Sequence, residues 1–174
     1  HFLSPFAYDS AIHSGMKEKF RVMPEPVEAF PTRDRVTARQ TLGIDAKGKI
    51  LGCMGMITAQ KNVDRLIDAF LECKTSPDNR LLLVGRQDTV VTAKLDSLNP
   101  NQRDRIIELN RYVENETFLN AIVASDVVSI PYKNRGASSG ILVRAIQVGK
   151  TVITDEGGLL GWQTRHFDLG ATCN

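Results

Sequence analysis

Apolar residues fall along this chain in two rhythms. Short continuous runs (LLLV at 81–84, VVSI at 127–130, TVI at 151–153) alternate with longer stretches in which apolar positions recur every three or four residues. The short runs read as strands. They are apolar throughout rather than alternating, which predicts burial on both faces, as in a parallel sheet covered by helices. The pattern predicts strands over 49–54, 80–84, 106–109, 126–130 and 151–154, and a last one near Ala171. Between them it predicts helices over 33–42, 62–74, 89–98, 116–124, 139–148 and 160–166. In the helix over 62–74, Val63, Leu66, Ile67, Phe70 and Leu71 share one face. Gly43 and Gly149 are placed as C-terminal caps, and Pro100 as the residue that prevents the helix over 89–98 from continuing. A short strand over 20–23 is stopped by Pro24 and Pro26, and residues 1–15 show no clean period.

Strand–helix alternation at this spacing gives right-handed crossovers, so the predicted fold is α/β, a doubly wound parallel sheet. Residues 21–174 form the predicted domain and residues 1–20 a connector. The sequence opens on His1 rather than Met, which reads as a piece cut from something longer.

Composition narrows the classes. Of 174 residues, 42% are hydrophobic and 24% charged, ordinary for a globular domain. The net charge of +2 is scattered, and no basic stripe interleaves with aromatics, so nucleic acid is not an expected partner. The longest apolar run, near 50–59, is too short to span a bilayer, and no signal peptide pattern occurs. Three cysteines without a C-x-x-C imply neither a disulfide framework nor a zinc ribbon, and fit a reduced, cytoplasmic protein. Cys53, inside an apolar strand, reads as a small buried hydrophobe.

In an open parallel sheet, ligands bind beyond the carboxyl ends of the strands. The informative loops are therefore 55–62, 85–88, 110–115, 131–140 and 154–161. Lys61 precedes a helix N-terminus, where a cation beside free N–H groups suits a diphosphate; the alternative is a solvated lysine. Gly136-Ala137-Ser138-Ser139-Gly140 opens a helix with small residues that let an anion approach the backbone; the alternative is an ordinary serine cap. Asp155-Glu156-Gly157-Gly158 either approaches a sugar or makes a tight turn. Arg86 either lines the cleft or faces solvent, and Arg111, Tyr112 and Val113 either flank a nucleobase or lead from strand to helix. No phosphate-binding G-x-x-x-x-G-K-[ST] loop, G-x-G-x-x-G fingerprint or G-x-S-x-G elbow occurs, and His1, His13 and His166 lack metal-ligand spacing. His166, near Trp162, reads as a packing or surface histidine.

The order of these pieces resembles the C-terminal domain of retaining GT-B glycosyltransferases of the group 1 family. The pieces are ILGCMGMITAQKNVDRLIDAF, LLLVGR, ETFLNAIVASDVVSIPY and SSGILVRAIQVGKTVITDEGG, spread from about Phe20 to Thr172. The resemblance implies a Rossmann-like, donor-binding half of a GT-B fold that transfers a glycosyl group from a nucleotide-activated sugar with retention. It implies that Lys61 contacts the donor diphosphate and that the backbone of Ser138, Ser139 and Gly140 meets the phosphates. Gly55 matches the glycine after the first strand, and Arg111–Val113 the strand end near the base.

It also implies no cofactor and no required metal, the nucleotide sugar being substrate. A glycan, lipid or small-molecule acceptor would be held by an N-terminal Rossmann-like domain. That half would also carry any peripheral membrane contact, and without it the chain is expected to be inactive.

Three positions depart from the family pattern. Met56 stands where an arginine is usual, and Gly136 and Arg144 stand where two glutamates are. The second glutamate holds the ribose in the family, and an unpaired buried ribose hydroxyl costs roughly 1–3 kcal/mol. These departures support an alternative: a non-catalytic transferase-like domain used for binding or assembly. A weaker one is an epimerase or phosphorylase on the same two-domain scaffold.

Overall fold

The structure, a computed structural model, describes residues 2–3, 21–22, 33–133 and 139–174. Two short strands, β1 (Phe2–Leu3) and β2 (Arg21–Val22), pair in parallel, and the second falls within the strand expected over 20–23. The rest of the described chain runs α1 (Arg35–Thr41), β3 (Ile50–Met54), α2 (Val63–Glu72), β4 (Arg80–Val84), α3 (Thr89–Asp96), α4 (Pro100–Asp104) and β5 (Ile106–Leu109). It continues through α5 (Asn115–Ala124), β6 (Val127–Ile130), α6 (Gly140–Gln147), β7 (Thr151–Asp155), α7 (Gly158–His166) and β8 (Gly170–Cys173).

β3 to β8 form one six-stranded parallel sheet in the order β5-β4-β3-β6-β7-β8. The chain builds outward from β3 to β5, returns across the sheet through α5, and builds outward again from β6. The order therefore reverses between β3 and β6, and the loops that leave these two neighbours diverge to opposite faces. This is the doubly wound parallel sheet that the apolar runs predict.

Two cores flank the sheet. One packs Cys53, Leu81 and Leu83 of the sheet against Val63, Ile67 and Phe70 of α2 and Val91 and Leu95 of α3. The other packs Leu82, Val84, Val128 and Val152 against Ala121 and Ile122 of α5, Leu142 of α6 and Leu160 of α7. Cys53 is 1% exposed, as expected of a small hydrophobe in a strand.

Three expectations need correction. Pro100 does not simply end a helix: it opens α4, whose N-cap Asn99 accepts from the Gln102 N–H while the Gln102 side chain accepts from the Asn99 N–H. Proline fits the first helical turn because its missing N–H has no partner there anyway. Gly158, expected in a loop, is the first residue of α7. Burial on both faces holds for β4 but not for β7, where Val152 and Thr154 are buried while Ile153 and Asp155 are half-exposed. The physical reason is topological. α5, α6 and α7 all pack on one face, so beyond α2 the other face is left open among the described residues. Leu51, Leu66, Phe70, Val127, Ile153 and Cys173 line a groove there of about 720 Å³.

At the opposite edge of the sheet from the β–α loops, Asp126 anchors α1 to the strands. Its carboxylate accepts from the Ile50 N–H (2.8 Å), from Arg39 (2.8 Å) and from Arg35. Lys49 lies 3.5 Å away.

Candidate functional site

The carboxyl ends of β3, β4 and β5 carry loops that are stitched together. Gly55 donates to the Val84 carbonyl (2.9 Å), and Gly85 donates to that of Leu109 (3.0 Å). Ile57 donates to Arg86 O (2.9 Å) and accepts from the Asp88 N–H (3.1 Å). Asp88 has two tasks: one carboxylate oxygen caps α3 through the Val91 N–H, the other accepts from the Ala59 N–H, each at 2.9 Å. Glycine is required at two of these positions. Gly55 (φ 98°) and Gly85 (φ 133°) occupy conformations that L side chains rarely adopt, and a Cβ on Gly85 would overlap the Gly55 carbonyl.

Past this stitched rim, a 3₁₀ turn at Ala59–Lys61 delivers Lys61 to the N-terminus of α2. Asn62 follows in the left-handed conformation and sends its side-chain amide to the Pro131 carbonyl, 2.9 Å away. Lys61 reaches the next residue: its Nζ lies 3.5 Å from the Tyr132 hydroxyl and 4.7 Å from the ring centroid. Two consecutive residues after β3 are thus tied to two consecutive residues after β6, across the point where strand order reverses. Burial pushes the neighbouring Cys53 thiol up to about 12, against the opposing pull of the Lys61 charge.

The loop after β6 leads into α6. Ser139 is its N-cap, is 6% exposed, and makes no capping hydrogen bond through its side chain. A Cβ on Gly55 would lie 3.2 Å from Ile141 Cδ1, so the first turn of α6 packs over the turn that leaves β3. Free N–H groups at a helix start and an ammonium on a facing turn are the two elements of an anion site.

Gly55 thus lies against the first turn of α6, which Ser139 caps and Gly140 opens, and Lys61, at the far end of the same loop, is tied to Tyr132 just after β6. Ser138 and Gly136 lie outside the described residues. Arg86 follows β4, one strand from β3, and Arg111 and Tyr112 follow β5, two strands away. All three are exposed, Tyr112 at 84%. Val113 turns inward and packs on the core. Arg144 stacks its guanidinium 5.2 Å from the Phe118 ring centroid, between α6 and α5. Met56 is 56% exposed beside Gly55. His166 stacks on Trp162 at 4.6 Å, in keeping with a packing role. Sequence reasoning missed Asn62, Asp88 and Tyr132. Asp88 carried a readable signal as an N-cap residue ahead of an apolar run. Nothing in the sequence pairs Asn62 or Tyr132 with their distant partners.

Among the described residues no helix is long and apolar enough to cross a membrane, and no group of three or more metal-ligating side chains converges.

The profile of the family described as "Glycosyl transferases group 1" matches residues 34–170. No curated protein sequence matches the chain. Among solved structures, the Anabaena protein HepE in complex with UDP is 20% identical, with a TM-score of 0.72, over 99% of this chain and 49% of HepE. Sucrose-phosphate synthase from Thermosynechococcus elongatus is 18% identical, with a TM-score of 0.76, over 98% of this chain and 44% of the synthase. The C-terminal domain of the group 1 protein LpcC from Francisella tularensis is 18% identical, with a TM-score of 0.68, over 83% of this chain and 76% of that domain. The chain thus spans less than half the length of HepE and of the synthase, and it shares their fold.

Proposed function

Because this chain belongs to the group 1 glycosyl transferase family, we propose that it is the donor-binding half of an enzyme that moves a glycosyl group from a nucleotide sugar to an acceptor, with retention. The observation that supports this reading is that the loop after β3 packs against the first turn of α6 at Gly55 and is tied to the end of β6 at Lys61, where the strand order reverses. HepE, with the same fold, has been solved with UDP, with UDP-glucose, and with UDP and glucose.

The chemistry follows from where charge develops. As the bond between the anomeric carbon and the diphosphate oxygen breaks, negative charge grows on the leaving diphosphate. Lys61 and the α6 amides, fixed in advance, stabilise that charge without reorganising. No metal is invoked. Ser139 adds a hydroxyl from a buried position, and Arg86, Arg111 and Tyr112 line the way toward the nucleoside. The acceptor and its binding half lie outside this chain, which alone is expected to bind donor without turning it over. Cytoplasmic placement belongs to this reading.

A second reading, a transferase-like domain that binds without catalysis, draws on Arg144. Its guanidinium stacks on Phe118, where the family pattern has a carboxylate for the ribose. One experiment separates the two. The full-length protein carrying this chain is incubated with UDP-, GDP- and ADP-sugars and an acceptor panel, and nucleoside diphosphate release and product anomeric configuration are followed by NMR. The proposal expects release, an unchanged anomeric configuration, and a loss of roughly a hundredfold or more in kcat on Lys61→Ala. Binding without release supports the second reading, and an inverted product refutes retention.

A further inference from the structure

The contact between Lys61 and Tyr132 has a role that neither the family profile nor the sequence pattern assigns. Lysine carries one of the largest rotamer entropies of any side chain, so an ammonium that must meet a phosphate gains from being held beforehand. Tyr132 is suited to hold it. The residue follows Pro131 at the end of β6, is 6% exposed, and belongs to the core that includes Ile130 and Leu142. Its ring is therefore fixed by packing. Lys61 Nζ lies 4.7 Å from the ring centroid and 3.5 Å from the hydroxyl. The Lys61 ammonium donates to the hydroxyl oxygen and lies beside the ring face; both attract it without cancelling its charge, whereas a carboxylate in the same place would compete with the incoming anion. Next to it, the Asn62–Pro131 hydrogen bond fixes the backbone of the same turn. The two ties divide the work: Asn62 sets the main chain and Tyr132 the side chain.

We infer that Tyr132 is a positioning residue that holds the Lys61 ammonium in place for the donor diphosphate. The inference rests on the donor-binding reading above and deepens it.

A double-mutant cycle tests it, with UDP, GDP and ADP titrated by calorimetry into the wild-type chain, Tyr132→Leu, Tyr132→Phe, Lys61→Ala and the double variants. Tyr132→Leu is expected to weaken the nucleotide that binds best by roughly five- to thirtyfold, while Tyr132→Phe, which keeps the ring but loses the hydroxyl contact, falls between wild type and Tyr132→Leu. In the Lys61→Ala background the effect of Tyr132→Leu is expected to vanish, because the residue acts through the lysine. Equal weakening in both backgrounds overturns the inference and makes Tyr132 a packing residue only. If the wild-type chain is folded and binds none of the three, the donor-binding reading itself fails and this inference with it. A second measurement stands even if Tyr132→Leu does not fold. The Lys61 ε-CH₂ protons, assigned with Lys61→Arg, should resonate upfield of free lysine under the ring current and stay there in Tyr132→Phe. An ordinary shift in the wild-type chain overturns the inference.

Discussion

Asn62 holds φ at 57° while its side-chain amide donates to the Pro131 carbonyl 2.9 Å away, joining the turn after β3 to the turn after β6. Both features depend on asparagine, one of the few non-glycine types that tolerate the left-handed region. Asn62→Ala should lose both and cost about 1–2 kcal/mol. Asn62→Gly should recover the backbone share and lose only the hydrogen bond. Urea denaturation of the three proteins measures the difference. Equal stability for the alanine and glycine variants would show that the conformation carries no strain.

Gly85 offers a sharper contrast. Its φ of 133° and the Gly55 carbonyl beside it leave no room for a Cβ, whereas Gly43 (φ 66°) has nothing within 4 Å of that position. Gly85→Ala should therefore cost more than about 2 kcal/mol, and Gly43→Ala only about 1 kcal/mol. The same denaturation experiment ranks them, and a reversed order would contradict the stitched rim.

Acid should act through Asp126. Burial by itself raises its pKa, but the Ile50 N–H and the charges of Arg35, Arg39 and Lys49 outweigh this and hold the carboxyl below the ordinary range. A carboxylate depressed in the folded state stabilises fully above its unfolded value of about 3.9 and loses that contribution as pH falls through the folded value. Asp126→Asn should cost roughly 2–3 kcal/mol at pH 7, on the low side for a broken buried pair because Arg35 and Lys49 reach solvent. The gap between wild type and variant should narrow as pH falls below about 5 and through the folded value. A gap that stays constant over that range would show that the charge is not responsible.

The three cysteines should react in a fixed order. Cys73 is exposed. The Cys173 thiol is raised by partial burial and by the negative charges of Asp155 and Glu156, and Cys53 is buried with its thiol pushed up to about 12. Since the thiolate is the reactive form, iodoacetamide followed by peptide mass spectrometry should label Cys73 first, Cys173 more slowly, and Cys53 only in denaturant. Labelling of Cys53 in the native chain would contradict its placement in the core.

The parts of the fold that were legible were those encoded locally. Arg80–Val84 and Ile106–Leu109 match their predicted bounds because an apolar run flanked by polar residues marks its own ends. α4 is also encoded locally, in the capping box of Asn99 and Gln102, but a proline after a helix signals a stop as readily as a start. The half-exposed Ile153 was not legible, since an apolar strand residue does not record whether a helix covers it. The ties that build the site were not legible either. Asn62 and Pro131 are 69 residues apart, Lys61 and Tyr132 are 71, and a pairing of that kind exists only once the strand order places β6 beside β3. Gly55, Lys61 and Ser139 are legible as candidates because each sits where a strand ends and a helix begins, and the parallel sheet brings all such junctions to one edge.

If the Lys61 turn and the start of α6 form a single diphosphate pocket, both segments must respond to the same ligand. Titrating UDP, GDP and ADP into the ¹⁵N-labelled chain and following backbone amides by NMR tests it most directly. For at least one nucleotide, the amides of 61–63 and 139–141 should shift together with one common Kd, and Lys61→Ala should weaken binding at both. Shifts confined to one of the two segments, or none with any of the three nucleotides, would contradict it.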